Sequence, residues 1–542
     1  MVKLFSLAER VKGSSHELNG KPCQDSTMKW SSNDGSIHIL VLSDGHGGDT
    51  YVRSDLGSRL ACEITIELLK HFAEDTAMTK CFLDRAGSLT ARPWKNPLIS
   101  ENGKPIKYES LEESQQEIVR QNKSYADSLV GIEPQNQVLS ELFKKIYDSW
   151  FNAININFEE NPLNNSEKEL LGHHNIEKAY GCTLLAYLQT PLYWLAFQIG
   201  DGKILTCDRN LRWTEPVPWD CRCFLNITTS LCDSLQPWNS FRFAFNGKGE
   251  FPVGVYMGSD GIDDSWGTPD RLKKFYSQIT EIFVKNSDDA DSMIPELINY
   301  LSKLSRDASH DDMSIAALLN LDALRIGVDL FKLRIKGREI HERIANIEQK
   351  IAHHLQEIEG VSAMASIRQK TLFLLDELKR LIANKELSQN FSVDDWQLSV
   401  DDFCQKVKVN YEQACEEKKE RDNLKQQEIE LKEQHDGFVQ KNSEFDNEDL
   451  KKWKNFRDDW LAKHQEATES VQNEDGSLTD DKNNKEDCSD VDVFEASHAI
   501  EDQLNKPDHS DEINSFKPIE RNRALTEYIE LRDGFLIRIK RV

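Results

Sequence analysis

Aspartates stand at the ends of short apolar runs, where their carboxylates could act together in catalysis. Asp44 follows the apolar run 37–43 and opens the sequence Asp-Gly-His-Gly-Gly. Asp201 follows the run 193–199 within Gly-Asp-Gly, and Asp260 lies in Gly-Ser-Asp-Gly. One Asp-Gly pair alone is typical of a turn. The same placement at several strand-length runs instead indicates a shared site.

Two further acidic positions follow the same pattern. Asp25 comes after Gln24 and the turn-like stretch 19–22, and Asp311 with Asp312 precedes the apolar run 314–319. Strand ends of this kind place carboxylates along one rim of a sheet, and glycine lets backbone carbonyl oxygens approach a bound cation. Mg²⁺ and Mn²⁺ prefer carboxylate, carbonyl and water oxygens as ligands. The spacing therefore predicts a site for hard divalent cations.

Such a site would hydrolyse phosphate esters without a protein nucleophile. Two ions about 3.5–4 Å apart can generate a bridging hydroxide and clamp a phosphoryl group for in-line attack. We find neither a Ser-His-Asp arrangement nor a reactive cysteine motif, and the 11 cysteines form no Cys-x-x-Cys pair. The cysteines indicate reduced thiols of a cytoplasmic protein rather than a disulfide framework.

The elements that must position these aspartates are strands and helices in mixed order. Runs such as 37–43, 183–188, 193–199 and 314–319 have the length and composition of buried strands. Helical stretches are predicted at about 50–72, 137–156, 268–286 and 289–305. This mixture favours an α+β fold with antiparallel sheets and helices outside them. Residues 75–136 are polar and poorly periodic, and we interpret them as an insertion rather than core.

Glycine usage divides the chain. Of 26 glycines, 21 lie within residues 1–330, so the first part is rich in turns and the second is built from long elements. We predict a catalytic domain over 1–325 and a helical, coiled-coil-like module over 326–470. Isoleucines spaced as on one helix face run from Ile340 to Ile358; an intramolecular bundle or a homo-oligomer could cover them.

Beyond the helical module the charge changes. Residues 472–515 hold 14 acidic residues and three lysines, which predicts a disordered acidic linker over 471–518. A short element over 519–542 regains apolar residues. The whole chain has 542 residues and a formal net charge of −26. Because this charge repels phosphate backbones and anionic lipids, we expect neither nucleic acid nor membrane as a partner. We also expect no signal peptide and no membrane span.

The order of these motifs resembles that of the metal-dependent serine/threonine protein phosphatases, the PPM or type-2C family, over about residues 5–322. That resemblance implies a β-sandwich flanked by helices, two Mn²⁺ or Mg²⁺ ions with a third left open, and a phosphorylated protein as substrate. It also implies the metal ligands, which are Asp25, Asp44, the carbonyl of Gly45, Asp201, Asp260 and Asp311. Gly181-Cys-Thr183 matches the family's Gly-x-Thr, and Asp264 a later acidic position.

The chain departs from the family pattern at two positions near the site. The family often has a phosphate-binding arginine where this chain has Gly20, and His16, Lys21 and Arg10 are the candidates to replace it. Asp312 stands in place of the usual asparagine. His46 is predicted as a catalytic residue, a general acid for the leaving alkoxide, because imidazole titrates near neutral pH. The alternative is that His46 only orients its loop.

We therefore predict metal-dependent hydrolysis of phosphoserine and phosphothreonine in proteins, with a helical C-terminal part that regulates or binds partners. One alternative is a pseudophosphatase, in which a catalytically weak domain serves as a phosphoprotein-binding module. Another is an oligomeric scaffold built on the helical part. A cognate serine/threonine kinase is an open partner, and the sequence names neither it nor the phosphoprotein.

Overall fold

The computed structural model describes residues 4–92, 98, 100, 104–223, 227–233, 236–383, 393–472, 527–530 and 537–540. The chain divides into two compact units, Met1–Lys454 and Asn455–Val542. The first unit contains all five aspartates predicted to bind metal and is built around two antiparallel β-sheets.

The two sheets are formed by eleven strands. The first sheet has, in spatial order, β1 (Phe5–Val11), β11 (Met313–Leu319), β10 (Gly254–Gly258), β7 (Lys203–Cys207) and β8 (Trp213–Thr214). The second sheet has, in spatial order, β2 (Ser26–Ser31), β3 (His38–Ser43), β5 (Leu184–Gln189), β6 (Trp194–Ile199), β9 (Arg242–Asn246) and β4 (Ala86–Leu89). All neighbouring strands are antiparallel.

The sheets pack face to face over an apolar core. Every residue of β3, β6, β9, β10 and β11 is buried, because helices cover the face that points away from the other sheet. The core side chains between the sheets include Leu40, Leu42, Leu185, Ile204, Val255, Met257 and Leu318. This is the layered packing of a sandwich.

The helices are named in chain order. They are α1 (Ser14–Asn19), α2 (Ser54–Glu74), α3 (Thr76–Phe82), α4 (Glu113–Leu129), α5 (Glu133–Glu160), α6 (Asn165–Leu171), α7 (Ile176–Ala179), α8 (Asp260–Trp266), α9 (Pro269–Lys285), α10 (Ile294–Asp307), α11 (Leu321–Ala383) and α12 (Val393–Gln472). Short 3₁₀ turns occupy Tyr108–Ser110, Pro237–Ser240 and Ser287–Met293. Helices α2 and α5 cover the second sheet, and α9 and α10 the first.

The predicted α+β sandwich is confirmed, and it includes part of the segment interpreted as an insertion. Strand β4 pairs with β9 at the edge of the second sheet. Phe82, at the end of α3, is fully buried and contacts the rings of Tyr193 and Phe245. Residues 76–89 therefore belong to the sandwich. A strand of four residues is too short to give a reliable periodic signal.

Helices α11 and α12 form an antiparallel hairpin. Ile340, Ile344 and Ile347 pack against Leu424 in a buried apolar cluster, so this first part of the predicted stripe is covered within one chain. Pairs of opposite charge flank this cluster: Lys425 Nζ lies 2.8 Å from Glu348 Oε1, and Arg343 Nη2 lies 2.5 Å from Glu420 Oε1. Charged pairs beside an apolar seam are typical of paired helices in a coiled coil.

The base of the hairpin rests on the sandwich. The Arg334 guanidinium donates hydrogen bonds to the carbonyls of Asn210 and Leu211, at 2.9 and 3.2 Å. The Asn442 amide donates to the carbonyl of Arg209 at 3.0 Å. The indole of Trp453, 8% exposed, packs on Gly249. We call this contact region the attachment surface, formed by residues 208–212 and 249 of the sandwich with 334 and 442–453 of the hairpin.

The predictions for the C-terminal part of the chain differ in how far the structure can test them. The sequence predicts long helices within 326–470, and the structure has two continuous ones, α11 and α12. The boundary predicted at 325 falls inside α11, and the division into domains stays a prediction. The predicted linker 471–518 lies, except for its first two residues, outside the described residues. Within 519–542, β12 (Glu527–Glu530) and β13 (Ile537–Lys540) pair antiparallel.

None of the helices in the described part of the chain has both the length and the apolar character that crossing a bilayer requires.

Candidate active site

Strand register brings the aspartates of the second sheet to one end of the sandwich. Ser26, the first residue of β2, pairs with Ser43, the last residue of β3. Asp25 and Asp44, the residues just outside this pair, are therefore neighbours although they are 19 positions apart in sequence. Antiparallel pairing requires this, because the start of one strand lies beside the end of the next.

The first sheet delivers its three aspartates to the same end. Gly258, which ends β10, pairs with Lys203 at the start of β7 and with Ile315 near the start of β11. Asp260 follows β10, Asp201 precedes β7, and Asp311 precedes β11. All five predicted carboxylates therefore converge at one rim, which we call the carboxylate rim.

The loop after β3 is held in place from both sides. The Asp44 amide donates to Thr183 Oγ1 at 3.0 Å, and the Thr183 amide donates to the Asp44 carbonyl at 2.8 Å. Gly45 leaves no space for a side chain, because a Cβ there would lie 2.5 Å from the Gln24 carbonyl oxygen and 2.7 Å from that of Ser54. Only glycine permits this approach, so the backbone at Gly45 is fixed at the rim.

Asp25 is the most deeply buried member of the rim, at 1% exposed. The Ser314 hydroxyl donates to its Oδ2 at 2.8 Å. Burial raises the pKa of Asp25 to about 8, and repulsion from Asp312 and Asp260 adds to this, although the hydrogen bond from Ser314 opposes it. A buried carboxyl among other carboxyls is costly to ionise.

Asp44 and Asp260 meet directly, carboxyl to carboxyl. Burial raises the pKa of Asp260 to about 7; the contact with Asp44 lowers it, and the charges of Asp201, Asp311 and Asp264 raise it. The pKa of Asp44 is also raised, first by burial and then by Asp260 and Asp25. Asp311 is exposed, so solvent can reach the rim. The rim is thus a concentration of mutually repelling carboxylates open to water.

The rim fits divalent cations by its donor chemistry rather than as a ready-made cage. Among the described residues, no group of three or more histidine, cysteine, aspartate or glutamate side chains already encloses a point that could hold a metal ion. Carboxylate oxygens together with a glycine carbonyl are nevertheless the donors that Mg²⁺ and Mn²⁺ take. A cation would also neutralise the repulsion that raises the pKa values of Asp44 and Asp260.

His46 lies beside the rim as a neutral side chain. Its Nε2 is 2.8 Å from Ser230 Oγ, and the Ser230 hydroxyl donates to the Cys182 carbonyl at 3.0 Å. We assign the proton to Nε2, since the hydroxyl's own hydrogen is used. Burial and nearby Lys178 lower the pKa of His46 to about 4. A neutral, hydrogen-bonded imidazole favours the loop-orienting alternative, and the general-acid role stays a prediction.

The three candidates to replace the family's phosphate-binding arginine differ in their hydrogen-bond partners and in their exposure to solvent. Arg10 donates to the backbone carbonyl of Asp25. His16 is buried, with Nδ1 2.9 Å from Asp312 Oδ2. Lys21 is partly exposed, and its Nζ donates to the Gly47 carbonyl at 3.0 Å. Solvent reaches both Arg10 and Lys21, but of the three only Lys21 contacts the Gly-rich loop, residues 45–48.

A family model for protein phosphatase 2C matches residues 12–302, which is more than half of the chain. The chain belongs to the protein phosphatase 2C family. Comparison with curated proteins gave no match.

Comparison with solved structures found phosphatases of low sequence identity to this chain. A bacterial serine phosphatase is 12% identical with a TM-score of 0.30, covering 59% of this chain and 97% of its own. A serine/threonine phosphatase from Staphylococcus aureus is 13% identical with a TM-score of 0.31, and the match covers 59% of this chain and 95% of that one. A serine/threonine phosphatase from Mycobacterium tuberculosis is 14% identical with a TM-score of 0.28, and the match covers 58% of this chain and 97% of that one. Scores this low carry no weight for the assignment, which rests on the family model.

The phosphatase 2C domain also relies on residues that sequence reasoning did not single out. Arg242, fully buried on β9, donates to the carbonyls of Gly200 and Pro218 and so fixes the backbone that precedes Asp201. Gly200 itself has a φ of 109°, which favours glycine. An arginine at the start of a mostly apolar strand was the available signal, because buried charges are rare without a specific role.

Proposed function

We propose that this protein is a Mn²⁺- or Mg²⁺-dependent phosphatase that hydrolyses phosphoserine and phosphothreonine in proteins. The observation that carries the proposal is the convergence of five aspartates, from both sheets, at one solvent-accessible rim. Membership of the protein phosphatase 2C family supports the same reaction class.

The residues of the rim have separate tasks in this proposal. The metal-holding residues would be Asp25, Asp44, the carbonyl of Gly45, Asp201, Asp260 and Asp311. When bound, two such ions supply an activated water and neutralise charge on the phosphoryl group. Thr183 and Ser314 hold Asp44 and Asp25 in place through the hydrogen bonds described above. His46 holds the loop that carries Asp44.

Lys21 would bind the phosphate of the substrate. Its Nζ lies at the exposed face of the Gly-rich loop, at 3.0 Å from the Gly47 carbonyl, and can turn toward an anion without breaking a buried contact. Lysine binds phosphate as a flexible point charge, so this role needs no fixed fork geometry. His16 is less suited because its imidazole is engaged with Asp312.

The helical hairpin would serve regulation or partner binding rather than catalysis. Its attachment surface includes the turn between β7 and β8 and the turn before β10, at the ends of these strands opposite the carboxylate rim. Self-association through the hairpin and a cognate kinase remain part of the proposal.

The test is hydrolysis of a phosphothreonine peptide by the full chain with saturating Mn²⁺, repeated after chelation. We expect turnover that EDTA abolishes and that Mn²⁺ restores, and no comparable turnover of a phosphotyrosine peptide. Asp260→Asn is the inactive control. Asp307→Asn, an exposed aspartate on α10, is the matched control that should remain active.

Two outcomes would contradict the proposal. Undiminished hydrolysis in excess EDTA would exclude the metal-dependent reaction. Absence of any turnover, together with binding of the phosphopeptide, would instead support the pseudophosphatase alternative.

A further inference from the structure

The carboxylate of Asp312 is buried beside the rim and makes more contacts than an asparagine could. It is 3% exposed. The Gly13 amide donates to Oδ1 at 2.6 Å, and the Gln24 amide donates to Oδ2 at 2.6 Å. His16 Nδ1 lies 2.9 Å from the same Oδ2. Both oxygens of the carboxylate are therefore occupied by groups of one segment, residues 13–24.

This segment leads directly into Asp25, whereas Asp312 follows Asp311. Asp312 thus connects two parts of the rim that lie almost 300 positions apart in sequence. An asparagine offers one acceptor oxygen and an amide group that only donates. It can accept from one of the two backbone amides but must then face the other donor with its own NH₂.

Further contacts hold the same two segments together. The Ser15 amide donates to the His310 carbonyl at 3.0 Å, and the Ser14 amide donates to Ser305 Oγ at 3.1 Å. Ser305 Oγ in turn donates to the Asp311 carbonyl at 2.8 Å. A Cβ at Gly13 would lie 2.4 Å from the carbonyl carbon of Asp311. The segments are packed backbone to backbone, and Asp312 is the charged group at their centre.

We propose that Asp312, together with His16, is a positioning pair that sets the separation of Asp25 and Asp311 and thereby the metal affinity of the rim. The inference rests on the proposed function, since it assigns a purpose to that geometry. Neither residue need touch metal or substrate. Partners that orient metal ligands typically change metal affinity or activity by about 10–100-fold when they are replaced.

The experiment measures Mn²⁺ binding to the full chain by isothermal titration calorimetry. We expect Asp312→Asn to weaken Mn²⁺ binding by about tenfold or more. His16→Gln keeps both backbone hydrogen bonds to Asp312 and should weaken binding less, by a few-fold. Asp307→Asn removes the same charge from an exposed site nearby in sequence and should bind Mn²⁺ as the wild-type chain does.

A positioning role and a merely structural role give different results in these variants. For positioning, turnover at limiting Mn²⁺ falls but recovers at high Mn²⁺, and KM for the phosphopeptide stays unchanged. If Asp312→Asn does not fold, as judged by circular dichroism, His16→Gln alone must show the weaker Mn²⁺ binding. Wild-type affinity in every folded variant overturns the proposal, even if melting temperatures fall.

The proposed function fails in a different way. If the wild-type chain itself takes up no Mn²⁺ and hydrolyses no phosphopeptide, the phosphatase proposal is wrong. If the wild-type chain does both and the folded variants are unaffected, only the positioning pair is wrong.

Discussion

The two ends of the sandwich differ in whether their charged side chains are paired with opposite charges. At the carboxylate rim, five aspartates face one another, and burial with mutual repulsion raises the pKa values of Asp25, Asp44 and Asp260. At the attachment surface, Arg209 is paired with Asp446 and Asp449 of α12. One end leaves like charges close together, whereas the other pairs opposite charges beside the buried indole of Trp453.

This difference indicates where stability and chemistry are located. Crowded carboxylates cost folding free energy, whereas burial of groups such as Trp453 contributes to it. Strand β7 has five residues, so about 16 Å of strand separates the two ends. Substitutions at the carboxylate rim should therefore leave the free energy of unfolding almost unchanged. Substitutions at the attachment surface should leave phosphatase activity almost unchanged.

Asp260→Asn should have the largest effect, a fall in kcat/KM on a phosphothreonine peptide of about a thousandfold. It removes one charged oxygen from the rim, and metal stabilisation of a phosphoryl transition state contributes several kcal/mol. The urea midpoint should not fall, because one of the repelling charges is gone. Steady-state kinetics and urea unfolding check both. Wild-type turnover at limiting Mn²⁺ would contradict the assignment of Asp260.

Trp453→Ala should act on stability alone. Truncation of a buried tryptophan costs about 3 kcal/mol in the free energy of unfolding, whereas kcat on an aryl phosphate should stay at the wild-type value. Tyr411→Ala, at an exposed position of α12, is the control and should cost much less. A parallel loss of kcat in Trp453→Ala would show that the hairpin and the rim are coupled.

Lys21→Met should raise KM for the phosphopeptide about tenfold, because losing one exposed hydrogen bond to a charged group weakens binding by about that factor. Lys21→Arg should restore KM, and Lys336→Met, an exposed lysine on α11, should leave it unchanged. Unchanged Mn²⁺ affinity would separate phosphate binding from metal binding. If KM of Lys21→Met equals that of the wild type, another cation holds the phosphate.

Arg209→Ala should have the smallest effect, about 1 kcal/mol in the free energy of unfolding, because its two carboxylate partners are largely exposed and exposed ion pairs contribute little. The loss should shrink at high salt, where such pairs are screened. Arg59→Ala, whose exposed partner Glu63 lies 3.9 Å away, should be neutral. An effect of Arg209→Ala that salt leaves unchanged would indicate packing rather than charge.

Local patterns in the sequence predicted the antiparallel sheets and the carboxylate rim, whereas the family resemblance implied the sandwich. Strand-length apolar runs identify β3, β5, β6 and β11 to within one or two residues. Asp44 follows one of these strands and Asp311 precedes another by two residues, and antiparallel pairing then brings strand ends together without further information. The metal-binding roles of these aspartates stay predictions.

Other features could not be predicted because they depend on distant residues. The two long helices run on through Gly337 and Gly437, since pairing in the hairpin outweighs the low helix propensity of glycine. Asp312 meets its partners Gly13 and Gln24 across 299 and 288 positions. Contacts of this kind carry no periodic signal, so single-sequence reasoning does not find them.

The length of the antiparallel hairpin can change without altering the sandwich. Helix α11 has 63 residues and so spans about 95 Å, and α12 returns the chain to the attachment surface at Asn442. Seven residues added to each helix would preserve the seam and move the far end outward by about 10.5 Å. Neither the rim nor the attachment surface would change. The reach of the protein can therefore vary independently of its chemistry.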